Sequence, residues 1–254
     1  MSEEQEAEPK SSIRELIERS VHSMAEFRGM LHEAREKCRD AYRRAEPEPR
    51  NRLRIHIDSV MAMLANSVRM PIAKVTESSS YQITLSASFI RTHYVASDMI
   101  MDGDVVEAFT LVRKQLESLA RLNELDSKPL AKLHKRTPNI QNALKGGAGR
   151  IYGDLSEIAH FSTPRVAEFL HIIERGEATG PSIPNVYSER AVACMDMCQF
   201  VALYFQMWMV DKLKEWYPDR DYKDLTILLG LAIATALEAG VIKRDENAPP
   251  EAAK

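Results

Sequence analysis

Apolar residues in this chain recur mostly at spacings of three and four, the period of an amphipathic helix. After a capping box formed by Ser12 and Glu15, Met24, Phe27, Leu31, Ala34, Cys38 and Ala41 step by 3, 4, 3, 4 and 3, which predicts a long first helix with a heptad-like seam. Pro47 and Pro49 stop it, and Leu53, Ile57, Val60 and Leu64 mark a second helix ending near Pro71, so the pair reads as an antiparallel helical hairpin. Between Tyr81 and Phe89 apolar and polar residues alternate with the period of a strand. A helix over 79–102 accounts for more of the segment, because Ile83, Ala87, Ile90 and Tyr94 also fall on one face and Gly103 suits a C-terminal cap. Asp104 with Glu107 opens the next helix, whose stripe of Val105, Phe109, Val112, Leu116 and Leu119 runs to about Leu125.

Beyond that point the pattern breaks. Pro129, Pro138 and Gly146-Gly147-Ala148-Gly149 allow a short helix at most, then a flexible connection. A helix over 151–160 follows, and Ser162-Thr163-Pro164 predicts another, reaching about Glu174. Gly176, Gly180, Pro181 and Pro184 interrupt it; long helices from Ser188 to about Trp216 and from Tyr222 to Ala239 complete the chain. The expected fold is therefore all-α, a bundle of about seven or eight helices. The helical hairpin spans 11–71, the bundle 78–242, and the polar segments 1–10 and 243–254 are expected to be disordered.

The apolar C-terminal third raises the question of a membrane span, since 17 of the 20 residues from Ala191 to Val210 are apolar. Glu189, Asp196, Gln199, Gln206 and Lys214 decide it, because at about 100° per residue they form one narrow polar stripe. An Asp near the centre of a span costs about 2.5 to 3.5 kcal/mol. A central bundle helix is expected, with no membrane contact. In the last helix Gly230 and Ala234, and Ala232, Ala236 and Gly240, would let another helix approach closely, as a core element or as a subunit interface.

At 254 residues, 44% hydrophobic and 28% charged, the chain has the composition of an ordinary globular protein. Three cysteines, Cys38, Cys194 and Cys198, are an odd number without a CxxC pair; with a polar, acidic first ten residues they predict a cytoplasmic, reducing location. Ser127–Arg150 carries six basic and no acidic residues, so +6 there leaves −9 elsewhere in a chain of net charge −3. Lys132, Lys135, Arg136, Lys145 and Arg150 are accordingly candidates to hold an anionic ligand or RNA.

Two rows of polar residues at four-residue spacing are the main candidates for a site. Arg113, Glu117 and Arg121 stand on one predicted helix, Tyr152, Ser156 and His160 on another; with Asp196 they are expected to form a buried polar cluster. Leu111, Arg113 and Glu117, followed by Tyr152, Leu155, Ser156 and His160, resemble the pattern of uncharacterised all-helical bacterial domain families over residues 85–161. The resemblance implies a helical fold and no established activity.

Arg165 and His171, with five residues between them, also resemble the Arg-x(4 to 6)-His motif of the helical nucleases known as the HEPN superfamily. That likeness implies a metal-independent ribonuclease of a toxin or defence system, with these two residues catalytic. Val166 departs from the polar residue which that family favours after the arginine. Glu157 with His160, and Glu168 with His171, are Glu-x-x-His pairs, but they lie eleven residues apart rather than on separate long helices, and no metal site is expected. Lys145-Gly146-Gly147-Ala148-Gly149-Arg150 lacks the Gly-Lys-Ser/Thr ending of a phosphate-binding P-loop and reads as a hinge. The leading expectation is a non-enzymatic interaction or regulatory module without a cofactor. It would self-associate through the final helix or the first seam, contact a protein partner, and carry a basic anion-binding loop.

Overall fold

The computed structural model describes residues 13–72, 75–142, 148–160, 172–175 and 178–243. Eight α-helices account for most of them: α1 (Ile13–Ala45), α2 (Glu48–Ser67), α3 (Glu77–Asp102), α4 (Val105–Ser127), α5 (Leu130–Leu133), α6 (Ala148–Ala159), α7 (Arg190–Trp216) and α8 (Lys223–Glu238). A 3-10 turn over Ile140–Asn142 separates α5 from α6. The fold is all-α, as the periodicity predicts. No helix among the described residues is long and apolar enough to cross a membrane.

One segment departs from expectation. Ile172–Arg175 is strand β1, not the end of a helix, and it pairs antiparallel with β2 (Ala178–Pro181), Ile172 opposite Pro181 and Arg175 opposite Ala178. Two adjacent β-branched isoleucines, followed by Gly176, favour extended backbone over a further helical turn. Both polar tails, 1–10 and nearly all of 243–254, lie outside the described residues.

The bundle is arranged around α7, which packs against α2, α3, α4 and α8 and touches α1. Cys194, Val201, Ala202, Phe205, Met209 and Leu213 of α7 are fully buried, and Phe205 stacks on Phe89 of α3 with ring centroids 3.9 Å apart. The buried face of α3 matches the predicted one only in part: Ile90 is buried and Ile83 packs on the core, but Ala87 and Tyr94 are exposed. Gln82, Ser86, Phe89, His93, Ala96 and Ile100 point inward instead. Polar partners on α4, α2 and α7 rotate the helix toward this mixed face, a competition that hydrophobic periodicity does not register.

Pro47 caps α2 in extended conformation (φ −61°, ψ 145°) and Pro49 falls in its first turn, so the break between α1 and α2 comes where the prolines place it. The two helices then take different partners. The C-terminal part of α1 lies on α3, burying Cys38 and Tyr42, while α2 lies on α8 and α7. Their apolar stripes therefore face different neighbours. Asp104 does not cap α4 through its side chain. Its carboxylate is taken by Asn185 Nδ2 at 2.7 Å and Arg35 at 3.2 Å, which tie the α3–α4 corner to the segment before α7 and to α1. Gly103 at that corner has φ +87°, and a Cβ there would come within 3.1 Å of Cys38 Sγ and 3.3 Å of the Val186 carbonyl oxygen. Both the left-handed backbone and the close approach require glycine.

A buried charge network fixes the turn between α1 and α2. Glu46 accepts two hydrogen bonds from Arg54, at 3.1 and 2.9 Å, and a third from the Tyr42 hydroxyl at 3.1 Å. Its side chain is 2% exposed. Four residues earlier on α2, Arg50 donates to Asp196 of α7 at 2.7 Å, carrying the connection into the core. Replacing Glu46 by alanine takes from the Arg54 guanidinium its paired carboxylate and leaves it the Asn51 Oδ1 acceptor at 2.8 Å, and removal of one partner from a buried pair costs about 3 to 5 kcal/mol. Urea unfolding of Glu46→Ala is expected to show a loss of about 3 kcal/mol, against less than about 0.5 kcal/mol for Arg14→Ala in an exposed pair. A Glu46→Ala loss below about 1 kcal/mol would contradict a buried pair.

Candidate functional site

The two predicted polar rows meet because α6 packs on α4. Arg113 of α4 donates through Nε to Glu117 Oε1 at 3.1 Å and through Nη2 to the Tyr152 hydroxyl at 2.9 Å. The same hydroxyl donates to Glu117 Oε1 at 2.8 Å, and the guanidinium carbon lies 5.0 Å from the centre of the Tyr152 ring. Arg113 Nη1 is 2.6 Å from His160 Nε2. Arginine can only donate, so Nε2 is the acceptor in this contact. Burial, followed by the hydrogen bond to Glu117, raises the Tyr152 pKa above the ordinary phenol value, with Arg113 opposing.

This cluster is smaller and wetter than the sequence predicts. The Arg113 and Glu117 side chains are 19% and 31% exposed, and His160 is exposed. Ser156 contributes only its backbone carbonyl, which accepts from the His160 amide at 3.0 Å. Arg121 leaves the row because a residue eight positions along a helix is rotated about 80° from the first. Its guanidinium instead donates to the carbonyls of Leu133 at 3.1 Å and of Arg136, and pairs with Glu124 at 3.3 Å. Asp196 faces Arg50 on another side of the bundle, since α6 rests on α4 and not on α7. Through these contacts the four-residue cluster clamps α6 to α4.

Within the basic segment, Lys132 lies on α5, and Lys135 and Arg136 on the turn that follows; all three are exposed. Arg121 and Glu124 hold that turn to α4, Glu124 Oε1 also accepting from the Asn139 amide at 3.1 Å. Lys145 lies outside the described residues; Arg150 is on α6, its side chain outside them. Arg165, Glu168 and His171 also lie outside. Among the described residues no group of three or more His, Cys, Asp or Glu side chains could hold a metal ion.

Sequence reasoning missed the most enclosed polar constellation. His93 of α3, 1% exposed, has Nε2 at 3.0 Å from Asp58 Oδ1 of α2 and Nδ1 at 3.7 Å from Cys198 Sγ of α7. Cys198 lies 3.8 Å from Gln115 Oε1 of α4, the acceptor for its thiol proton, so four helices share one chain of polar contacts. Burial works against a charged imidazole here, but the hydrogen bonds it donates to Asp58 and Cys198 outweigh it and push the His93 pKa up to about 9. Cys198 and Cys194 are sealed from solvent, and burial raises the Cys194 thiol further above its ordinary value. A cysteine, a histidine and an aspartate thus stand in hydrogen-bonding order, the first two sealed from solvent and the aspartate 34% exposed, and together they tie α2, α3 and α7. The signal was present: His93 follows Phe89 by four residues and precedes Ala96 and Ile100 at helical spacing.

Two expectations follow. With the folded His93 pKa raised above about 6.5, its stabilisation is complete below that pH and is lost as pH rises toward 9. The His93 share should fall by about 2 kcal/mol between pH 6.5 and 8.5. Urea titrations across that range should give a stability difference between wild type and His93→Gln that shrinks with pH; a constant difference would exclude a buried imidazolium. Glu117→Ala, at a half-exposed cluster, should cost only about 1 kcal/mol. A loss above about 3 kcal/mol in the same assay would require a closed site.

Comparison with family models, with characterised proteins and with solved structures finds no match to this chain.

Proposed function

We propose that this protein is a non-enzymatic interaction module that self-associates through the first five turns of α1. One observation carries the reading: Ile13, Leu16, Ile17, Val21, Met24, Phe27 and Met30 share one broad face of α1 and are between 42% and 78% exposed. Contiguous apolar surface of more than a few hundred Å² on a soluble protein marks an interaction surface. The opposite side of the helix is kept polar by the i,i+4 pairs Arg14–Glu18 at 3.0 Å, His22–Glu26 at 3.2 Å and Glu33–Lys37 at 2.7 Å.

A second copy of the chain fits this face. Run antiparallel about a two-fold axis near His22, the seam places Ile13 opposite Leu31 of the other copy, Ile17 opposite Phe27, and Ser20 opposite Met24. Each a-type position then meets a d-type one, as two-stranded packing requires. Residues 13–30 hold three arginines and three glutamates, so two copies meet without net repulsion. Five turns of such packing approach the roughly 800 Å² per partner of a standard interface. The outer face of α8, where Ile227 and Leu231 flank Gly230, offers fewer large side chains and is the lesser candidate.

Light scattering with sedimentation equilibrium on the full chain should report a dimer. Met24→Glu combined with Phe27→Glu should give a monomer that keeps the helicity and urea midpoint of the bundle. A wild-type monomer at the highest soluble concentration, or a double variant that still dimerises, would overturn the reading.

A further inference from the structure

Between the first turn of α3 and the segment 130–136 lies a cavity of about 370 Å³, lined by Glu77 and Tyr81 on one side and by Leu130, Leu133, Lys135 and Arg136 on the other, with Arg121 and His134 completing the wall. From its chemistry we infer that this cavity binds a small organic phosphomonoester, the phosphate held by Lys135 and Arg136 and the organic part packed along Tyr81 and Leu130. The inference is independent of self-association through α1.

The cationic side is built rather than incidental. Arg121, buried and paired with Glu124, donates to the carbonyls of Leu133 and Arg136 and so pins both ends of the turn that presents Lys135 and Arg136. Lys135 has φ +58°, a left-handed backbone that is strained for a side-chain-bearing residue and that glycine adopts freely. A lysine stands there despite that strain. Among the described residues no carboxylate forms an ion pair with Lys132, Lys135 or Arg136, whereas Arg121 already has Glu124. Arginine beside lysine suits a phosphate, the fork taking two oxygens and the ammonium adding a point charge. The Glu77 carboxylate at the opposite side disfavours an extended polyanion, and a pocket of this volume exceeds a bare phosphate but matches the lower range of small-molecule sites. Tyr81, 36% exposed, supplies an aromatic wall.

Isothermal titration of the full chain with inorganic phosphate, glucose 6-phosphate and the four nucleoside 5′-monophosphates tests this. At least one monoester should bind saturably and tenfold or more tighter than inorganic phosphate, weakening as salt rises. Its unphosphorylated parent should not bind. Lys135→Gly, which relieves the positive φ, should lower that affinity at least fivefold while the urea midpoint stays level or rises; Arg136→Gln should lower it similarly. The dimer, where present, should be unaffected by either change. Failure of every monoester to exceed inorganic phosphate, an affinity indifferent to both variants, or a preference for single-stranded RNA over all of them would overturn the inference.

Discussion

A helix buried on nearly every side can exist in water only if its neighbours enclose it, and α7 imposes that condition on the whole chain. Fourteen of its 27 residues are buried. Apolar packing alone would let the surrounding helices slide and rotate, because one aliphatic surface accepts another in many registers. The polar side chains of α7 narrow the choice. Asp196 takes Arg50 of α2, Cys198 sits between His93 of α3 and Gln115 of α4, Gln206 donates to the Ile57 carbonyl at 2.8 Å, and Trp208 and Lys212 both reach Asp126 of α4. An unpaired polar group in the core is costly, so each contact selects one rotation of one neighbour. Gln199 is the exception, with neither end of its amide partnered among the described residues.

Most of the architecture was legible because helix boundaries are marked by residues with local physical effects. Prolines 47 and 49 divide α1 from α2, and Gly103 and Gly240 adopt the left-handed conformation after α3 and α8. What was not legible depends on partners distant in sequence. The inward face of α3 was misread because Gln82 and His93 look like solvent-facing residues until their partners Asp126 and Asp58 on other helices are known. Asp104 looks like a cap until Asn185 and Arg35 claim its carboxylate. Similarly, α1 and α2 carry good apolar stripes, but periodicity cannot say whose stripe each one meets.

The candidate site divides along the same line. Arg113, Glu117, Tyr152 and His160 come together because each row lies on one helical face and α6 packs on α4. Arg121 and Asp196 fall away for geometric reasons, one through rotation along its own helix and the other because α7 presents it to α2. The features most suggestive of function lie where the frame leaves surfaces unfilled. The first half of α1 extends the seam that docks on α3 beyond the reach of α3. The cationic turn after α5 is held by a buried arginine while its neighbouring cations stay exposed.

Native-state hydrogen exchange of the full chain at low and high protein concentration tests the central claim most directly. An enclosed α7 predicts that amides from Cys194 to Leu213 exchange only through global unfolding at both concentrations, and the proposed self-association through α1 predicts that amides of 13–30 gain protection as concentration rises. Exchange of the α7 amides through local opening, or protection of 13–30 that ignores concentration, would contradict it.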